Sequence, residues 1–583
     1  MGIPPTSLIA VAAGPWYTNS LLLMGVAVVW LILAYRFYGR HLQRTLVKPT
    51  DEATPAEAKQ DGVDYYPAKR IVLFGHHFAS IAGAGPILGP VLACAFFGWG
   101  ATALWILIGV VLIGAVHDYM ALMISVRHGG ASLPDVARSA VSRSARVLFL
   151  IFVWIGLVLV ITAFCGAAAG TFVKAPQIVL PTFSLMLIAV LFGFLTYRVK
   201  LNVAVSTVIA LALLLLVMWL GFRFPIQLEQ LGVPPGSVKG VWLVLLIVYG
   251  IVASVLPVWV LLQPRDYIAT WILIVGMSLG LAGVAYVHPT FNAPAFTAPM
   301  TAKGPIWPML FIIVACGAVS GFHCLVAGGT TSKQLASEHH GLGIGYGSML
   351  MEGALAILAL IAVGAGMYYT GAQAEAAGGG VALTELLKPG GGGPITAFGR
   401  GFGALTEPFL GPVGKALGVA GFGMIIGTTM VNAFVMTTLD TSVRLARFIT
   451  TELAGPVLGV FRNRVVASVA AAVPAYILAV APGAFGKIWP MFGAANQLIA
   501  ALALIVISAW LLKRGKPVVY TLVPAVFMLV TTMAALGWQA YSYLLKADKP
   551  DLTLGITAIV LLVLALVLAI QGLLVRRKPV PQT

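Results

Sequence analysis

Long apolar stretches separated by short polar ones run through the whole chain. Each stretch holds about 20 residues, the length at which a helix crosses the hydrocarbon core of a bilayer. Spans are expected near 18–38, 71–97, 100–126, 147–173, 177–197, 202–222, 241–262, 268–288, 306–330, 346–370, 416–440, 465–484, 486–511, 518–544 and 553–575. By the length rule this makes about 15 helices. The period-2 alternation of a membrane β-barrel is absent. The pattern predicts an all-α polytopic membrane protein. The one ambiguous stretch is 485–511, whose polar start "FGKIWPMFG" also fits a re-entrant piece.

The polar positions set the direction of threading. The 36–70 connector holds Arg36, Arg40, Arg44, Lys48, Lys59, Lys69 and Arg70. Every second loop after it is basic: Arg127 to Arg146, Arg198 with Lys200, Arg265, Lys333, Arg444 to Arg464, and Lys513 to Lys516. Arg576, Arg577 and Lys578 close the tail. Cytoplasmic loops carry the excess of Lys and Arg, so the N-terminus is expected outside and the C-terminus inside. The 371–415 loop, with "GGGG" at 390–393, reads as an external flexible segment.

Composition agrees and narrows the class. The chain has 583 residues, 60% hydrophobic and 9% charged, where a soluble domain is about one quarter charged. A net charge of +17 raises nucleic acid as a partner, but the cations sit in short loops where membrane topology wants them. Nucleic acid is therefore not expected. Cys94, Cys165, Cys316 and Cys324 lie in apolar segments with no CxxC spacing and read as small core residues. The N-terminus lacks the basic n-region of a cleaved signal peptide.

Polar residues and helix breakers inside the spans carry the functional signal. "GHHFASIAGAGPILGP", residues 75–90, combines His76, His77 and Ser80 with Gly83, Gly85 and two prolines. Glycine and proline free backbone groups, which hydrocarbon tolerates only against protein or a water-filled cavity. Small residues that simply let helices approach are the competing explanation. Span 306–330 repeats the style with Ser320, His323, Thr330 and Thr331; 241–262 carries Pro257; 416–440 is rich in hydroxyls, with Asn432 and Asp440. Interrupted segments at matching places in two halves point to a transporter site. Counting 71–97 as the first helix makes 241–262 the sixth and 306–330 the eighth, in two inverted units of five. The division expected is 1–70 as an N-terminal helix and connector, 71–223 and 224–445 as the repeats, and 446–583 as accessory helices.

"VLFGHHFASIAGAGPILGPVLA" (72–93), "LWILIGVVLIGAVHDYM" (104–120) and "ASLPDVAR" (131–138) closely resemble the carbon starvation protein A family. "VSGFHCLVAGGTTSKQL" and "ANQLIAALALI" extend the resemblance across roughly residues 70–515. The resemblance implies an inner-membrane secondary transporter induced when carbon is scarce, with members linked to peptides or to pyruvate with protons. It also implies a fold related to the amino acid–polyamine–organocation superfamily, a LeuT-like five-plus-five core. His117-Asp118 stands where Gln-Asp is expected of the family, and Arg127-His128 where two arginines are.

Each candidate side chain has a structural rival. His76 and His77 point about 100° apart on a helix, so at most one is expected to face a central cavity. His323 is either a substrate or proton group or a hydrogen-bonded core residue. His117-Asp118 is a candidate proton relay, or a structural polar pair. Asp440 is expected to pair with Arg444 at a helix end, and Glu352 to be interfacial. Thr330, Thr331 and Ser332 either offer oxygens to a cation or bond their own helix. His76, His77, His323 and Cys324 lack metal-ligand spacing, so no metal and no cofactor are expected. No HExxH or P-loop sequence occurs, and the GMSLG at 276–280 lies inside an expected span rather than at a strand-to-helix turn, which disfavours an enzyme and ATP-driven transport.

The reading is a gradient-driven importer of small carbon or nitrogen nutrients, peptides first and pyruvate as the alternative. It works by alternating access with a proton as the expected coupling ion. Half-helix N-termini near 75–90 and Ser254–Pro257 would favour a substrate carboxylate. A channel and a non-transporting nutrient sensor are the other classes.

Overall fold

The computed structural model describes residues 15–573 apart from 62–64, 258–260, 378, 389–390, 482 and 547–549. The signal-peptide reading, the basic tail and part of the glycine run lie outside the described residues. Within them, 14 helices are long and apolar enough to cross a membrane. The helix Arg464–Val480, expected as a fifteenth span, is shorter.

The helices follow in chain order. Helix α1 is Ser20–Val47, started by Asn19, whose side chain accepts from the Leu21 N–H. Its helical path reaches past the expected boundary at residue 38. Next come α2 (Arg70–Ile81) and α3 (Gly85–Phe97), two halves of one span. Helix α4 is Trp99–Arg127 and α5 is Arg143–Lys174, capped by Ser142. Then follow α6 (Pro176–Thr196), α7 (Val203–Arg223), α8 (Val238–Val255) and α9 (Leu262–Val287). A second split span holds α10 (Ile306–Val314) and α11 (Phe322–Gly329). The rest are α12 (Gly347–Gly364), α13 (Gly393–Leu417), α14 (Phe422–Ala454), α15 (Arg464–Val480), α16 (Ala484–Lys513), α17 (Val519–Lys546) and α18 (Leu552–Gly572).

Two expectations change and one ambiguity resolves in favour of the expected span. The 371–415 stretch contains the 25-residue helix α13, packed on α14, α9 and α12. Its polar and apolar residues share a helix too mixed to read as a span. The stretch 241–262 is not one helix: α8 ends at Val255, Leu256 is extended, and α9 begins at Leu262. Residues 485–511 form one continuous helix, with Pro490 inside it.

The basic loops gather at one end. Lys59 donates to the Gly129 carbonyl, Tyr66 to Gln334, Lys513 to the Ser139 carbonyl, and Arg127 pairs with Glu338. The opposite end is tied by Phe291 N–H to the Thr18 carbonyl and Tyr369 to the Ala95 carbonyl. This is the alternation the loop charges predict.

The core lies around the two split spans. They run in opposite directions: Arg70 and Lys333 lie at the basic end, Phe97 and Ile306 at the other. Helix α3 packs against α10 and α12, and α2 against α9, α11, α12 and α14. The long helices α5 and α14 pack on each other, and α16 closes against α5 and α10. The windows of the split spans are 89% and 94% buried, whereas that of α1 is 22% buried. The split spans are therefore shielded from lipid by protein, which their freed backbone groups require.

Candidate functional site

The first break is written by its residues. Ala82 leaves helical geometry with ψ 22°, and Pro86 opens α3. Proline has no N–H to continue the ladder and disfavours helix in the residue before it. Gly85 permits the contact with the second split span: a Cβ there would lie 2.6 Å from Cys316 Cβ and 2.7 Å from its Sγ. Gly83 stands in the same way against Thr438 of α14.

The second break begins at Ala315, whose φ of 46° lies in the left-handed region, and lasts until Phe322. Asn496 of α16 holds it. Its Oδ1 accepts from the Phe322 N–H at 2.9 Å, its Nδ2 donates to Ser320 Oγ at 3.1 Å, and its carbonyl accepts from the Gly321 N–H at 3.0 Å. A helix start buried from water needs such partners. Ser320 therefore belongs to the brace of the break.

His76 and His77 turn to opposite sides. His76 Nδ1 lies 3.0 Å from Asp266 Oδ2 on α9, and Ser80 Oγ donates to the same oxygen at 3.4 Å. Arg265 donates from Nη2 to Asp266 Oδ1 at 2.6 Å and from Nη1 to Asp440 of α14. Tyr249 of α8 donates to Asp440 Oδ2 at 2.6 Å. Arg265, Asp266 and Asp440 are all fully buried. This cluster holds one permanent cation and two carboxylates, with His76 as the titratable neighbour.

His77 reaches the other side, 2.8 Å from Thr331 Oγ1. Beyond it lies a cluster whose ion pairs and hydrogen bonds, among the described residues, involve no lysine or arginine. Asp118 Oδ1 lies 2.8 Å from His117 Nδ1 and its Oδ2 lies 2.7 Å from His323 Nδ1. His323 Nε2 lies 3.4 Å from Glu352 Oε2 on α12. All four residues are fully buried. The two clusters bracket α2 just before its break.

The expected residues thus divide. The structure brings together His76 and Ser80 in one cluster, and His77, Thr331, His117, Asp118 and His323 about the other. Thr330 donates back to the Val326 carbonyl of its own helix. Pro257 is exposed beyond the end of α8 and joins neither cluster. Asp440 lies within a 33-residue helix and pairs with Arg265, not with Arg444. Arg444 instead donates to the Ala253 and Leu256 carbonyls at the end of α8. Glu352 is buried rather than interfacial. Arg265, read from the sequence as a loop cation, is inside α9. The signal for it was present: an Arg-Asp pair follows proline directly, as at a helix start. Among the described residues no group of three or more His, Cys, Asp or Glu has an arrangement that could hold a metal ion.

Chemically, both clusters place imidazole rings in hydrogen-bond reach of buried carboxylates, the arrangement that intramembrane proton paths use. A guanidinium between two carboxylates can also exchange one of them for another carboxylate.

The family model of carbon starvation protein CstA matches residues 19–535. The chain is 34% identical to the pyruvate/proton symporter BtsT of Escherichia coli K12, over 90% of this chain and 82% of that one. It is 33% identical to the peptide transporter CstA of the same strain, over 93% and 83%. The peptide transporter CstA of Bacillus subtilis 168 is 32% identical over 95% and 96%. Among solved structures, MhsT in complex with L-phenylalanine aligns at TM-score 0.48 and 14% identity, over 87% of this chain and 99% of that one.

Proposed function

Since this chain belongs to the carbon starvation protein CstA family, we propose that it imports small carboxylate-bearing nutrients across the bacterial inner membrane. Peptides are the first substrate class and pyruvate the second. The relatives named for the two are matched at similar identity, 33% and 34%. Uptake is coupled to protons and proceeds by alternating access, with no chemical change to the substrate.

One observation carries the reading: the broken helix α2–α3 presents His76 to the buried Asp266 carboxylate and His77 to Thr331, within electrostatic reach of the Asp118–His323 pair. A helix that only packed would gain nothing from burying these ionisable groups, each of which costs several kcal/mol in an apolar interior. The Arg265 cluster suits the substrate. A carboxylate entering beside Arg265 adds negative charge where Asp266 and Asp440 already share one cation. A proton taken up with it restores the balance, which makes proton and carboxylate travel together. The His117–Asp118–His323 cluster provides the second proton station. In this reading the core is two inverted units of five, 71–223 and 224–445, in which the split spans are the first and the eighth helices. The N-terminus faces outward and the C-terminus inward, with the basic loops in the cytoplasm.

The test is uptake into proteoliposomes of labelled dipeptide and labelled pyruvate, each with and without an inward proton gradient. The expected result is saturable accumulation of at least one of them above its external concentration, only with the gradient. Flux without uphill accumulation would indicate a channel. Binding without uptake would indicate a sensor.

A further inference from the structure

Asp118 fixes the tautomer of His323. An ionised carboxylate accepts hydrogen bonds and cannot donate them. With His117 Nδ1 at 2.8 Å from one oxygen and His323 Nδ1 at 2.7 Å from the other, both rings turn an N–H toward Asp118. The neutral His323 ring then carries only a lone pair at Nε2. That lone pair faces Glu352 Oε2 at 3.4 Å, within ion-pair range.

Neither oxygen of Glu352 has a hydrogen-bond donor, and neither does His323 Nε2. Two lone pairs facing each other in a fully buried site repel, and an ionised Glu352 would stand there unpaired. The titratable groups turned to Glu352 are His323 on α11, Asp118 on α4, and Cys316 in the second break. His77 acts on Asp118 and His323 in turn. Among the described residues no lysine or arginine pairs with Glu352.

We propose that a proton is bound between His323 Nε2 and Glu352, and that the structure is the proton-loaded state of the carrier. The proton sits on Glu352, which then donates to Nε2, or on Nε2, which then donates to Glu352. Either way the pair is neutral and Asp118 keeps the one negative charge. Loss of that proton leaves two carboxylates flanking a neutral ring, which pushes Glu352 and His323 apart. Those residues sit on α12 and on α11, directly after the second break, so unloading strains the helix that must move. The site rests on the proton-coupled reading above and names its residue.

Glu352→Gln keeps the shape and offers an N–H to Nε2 without a titratable proton. Two readouts separate the possibilities. The first is substrate counterflow against gradient-driven accumulation in proteoliposomes. The variant is expected to keep counterflow near the wild-type rate, while accumulation driven by the proton gradient falls about tenfold or more. The second needs no substrate: purified protein in unbuffered detergent solution is titrated from acid to alkaline pH. Wild type is expected to release one proton more than Glu352→Gln. Equal proton release, or gradient-driven accumulation equal to wild type, overturns the proposal. A wild type that moves no tested substrate sinks the transport reading, and the proton count still decides this one. If Glu352→Gln is not recovered from membranes, Glu352→Met keeps the volume, removes the acid and is read in the same way.

Discussion

His76 and His77 are neighbours in the chain and belong to different networks. His76 lies 3.0 Å from Asp266 on α9, and His77 lies 2.8 Å from Thr331 just after α11. The angle of about 100° between successive helix residues is what separates them. Because both are buried, neither waits for a partner in an open cavity.

Each histidine should therefore couple more strongly to its own partner than to the other. In uptake assays, a double-mutant cycle between His76→Ala and Asp266→Asn is expected to give a coupling of about 0.5–3 kcal/mol in kcat/KM, as for residues in contact. The cycle between His77→Ala and Thr331→Val is expected in the same range. The cycle between His76→Ala and His77→Ala is expected to give a smaller coupling than either contact pair, because the two rings act on each other through charge and share no hydrogen-bond partner. Strong coupling between the two histidines would join the clusters into one.

Arg265 answers for two carboxylates. Arg265→Ala leaves Asp266 and Asp440 buried without their cation, which is expected to cost about 3–5 kcal/mol. Thermal unfolding in detergent reads the loss. Arg265→Lys is not expected to restore it, because one ammonium cannot reproduce the fork that bonds Asp266, Asp440 and Tyr249 together. Asp440→Asn in the Arg265→Ala background is expected to recover part, since it removes one of the stranded charges.

The contact between the split spans depends on the missing side chain at Gly85. Gly85→Ala brings a methyl within 2.6 Å of Cys316 Cβ, well inside contact distance. Overpacking of this kind costs about 1–3 kcal/mol. Cys316→Gly removes the opposing atoms and is expected to recover part of the loss, less about 1 kcal/mol for the glycine introduced at 316. Thermal unfolding of the single and double variants checks this. No recovery would place the strain elsewhere.

These results sort what the sequence discloses. Helix breakers act locally, so Gly83, Gly85 and Pro86 locate the first break from the chain alone. Loop charges act through the membrane normal, so the gathering of basic loops at one end was legible as well. Partners were not. Asp266 and Asp440 meet at Arg265 from helices that lie 174 residues apart in the sequence, and nothing in the local pattern marks that contact. Hydropathy even misplaced Arg265, because a charged residue between two apolar runs reads as a loop. Pro257 failed in the opposite sense. A proline inside an apolar run suggested a broken span, yet it follows the end of α8, where its missing N–H breaks no bond.

Asn496 shows the same limit. It lies in the stretch that extends the family resemblance, but its role is set by a break 174 residues away, at the Phe322 N–H. Asn496→Ala leaves that N–H short of a partner inside the protein and the Ser320 hydroxyl with only the Cys316 thiol at 3.4 Å. A loss of about 1–3 kcal/mol is expected. Asn496→Asp keeps the acceptor for Phe322 and loses the donor to Ser320, so it is expected to fall between wild type and Asn496→Ala in thermal unfolding.

The central claim is that a carboxylate-bearing nutrient and a proton cross together. Its most direct measurement follows both fluxes at once in proteoliposomes that contain a trapped pH dye and receive labelled dipeptide or pyruvate outside. The account predicts acidification of the lumen that starts with substrate addition, scales with substrate uptake, and is lost with Arg265→Ala. Substrate uptake that proceeds with no proton entry, and that a protonophore leaves unchanged, would contradict it.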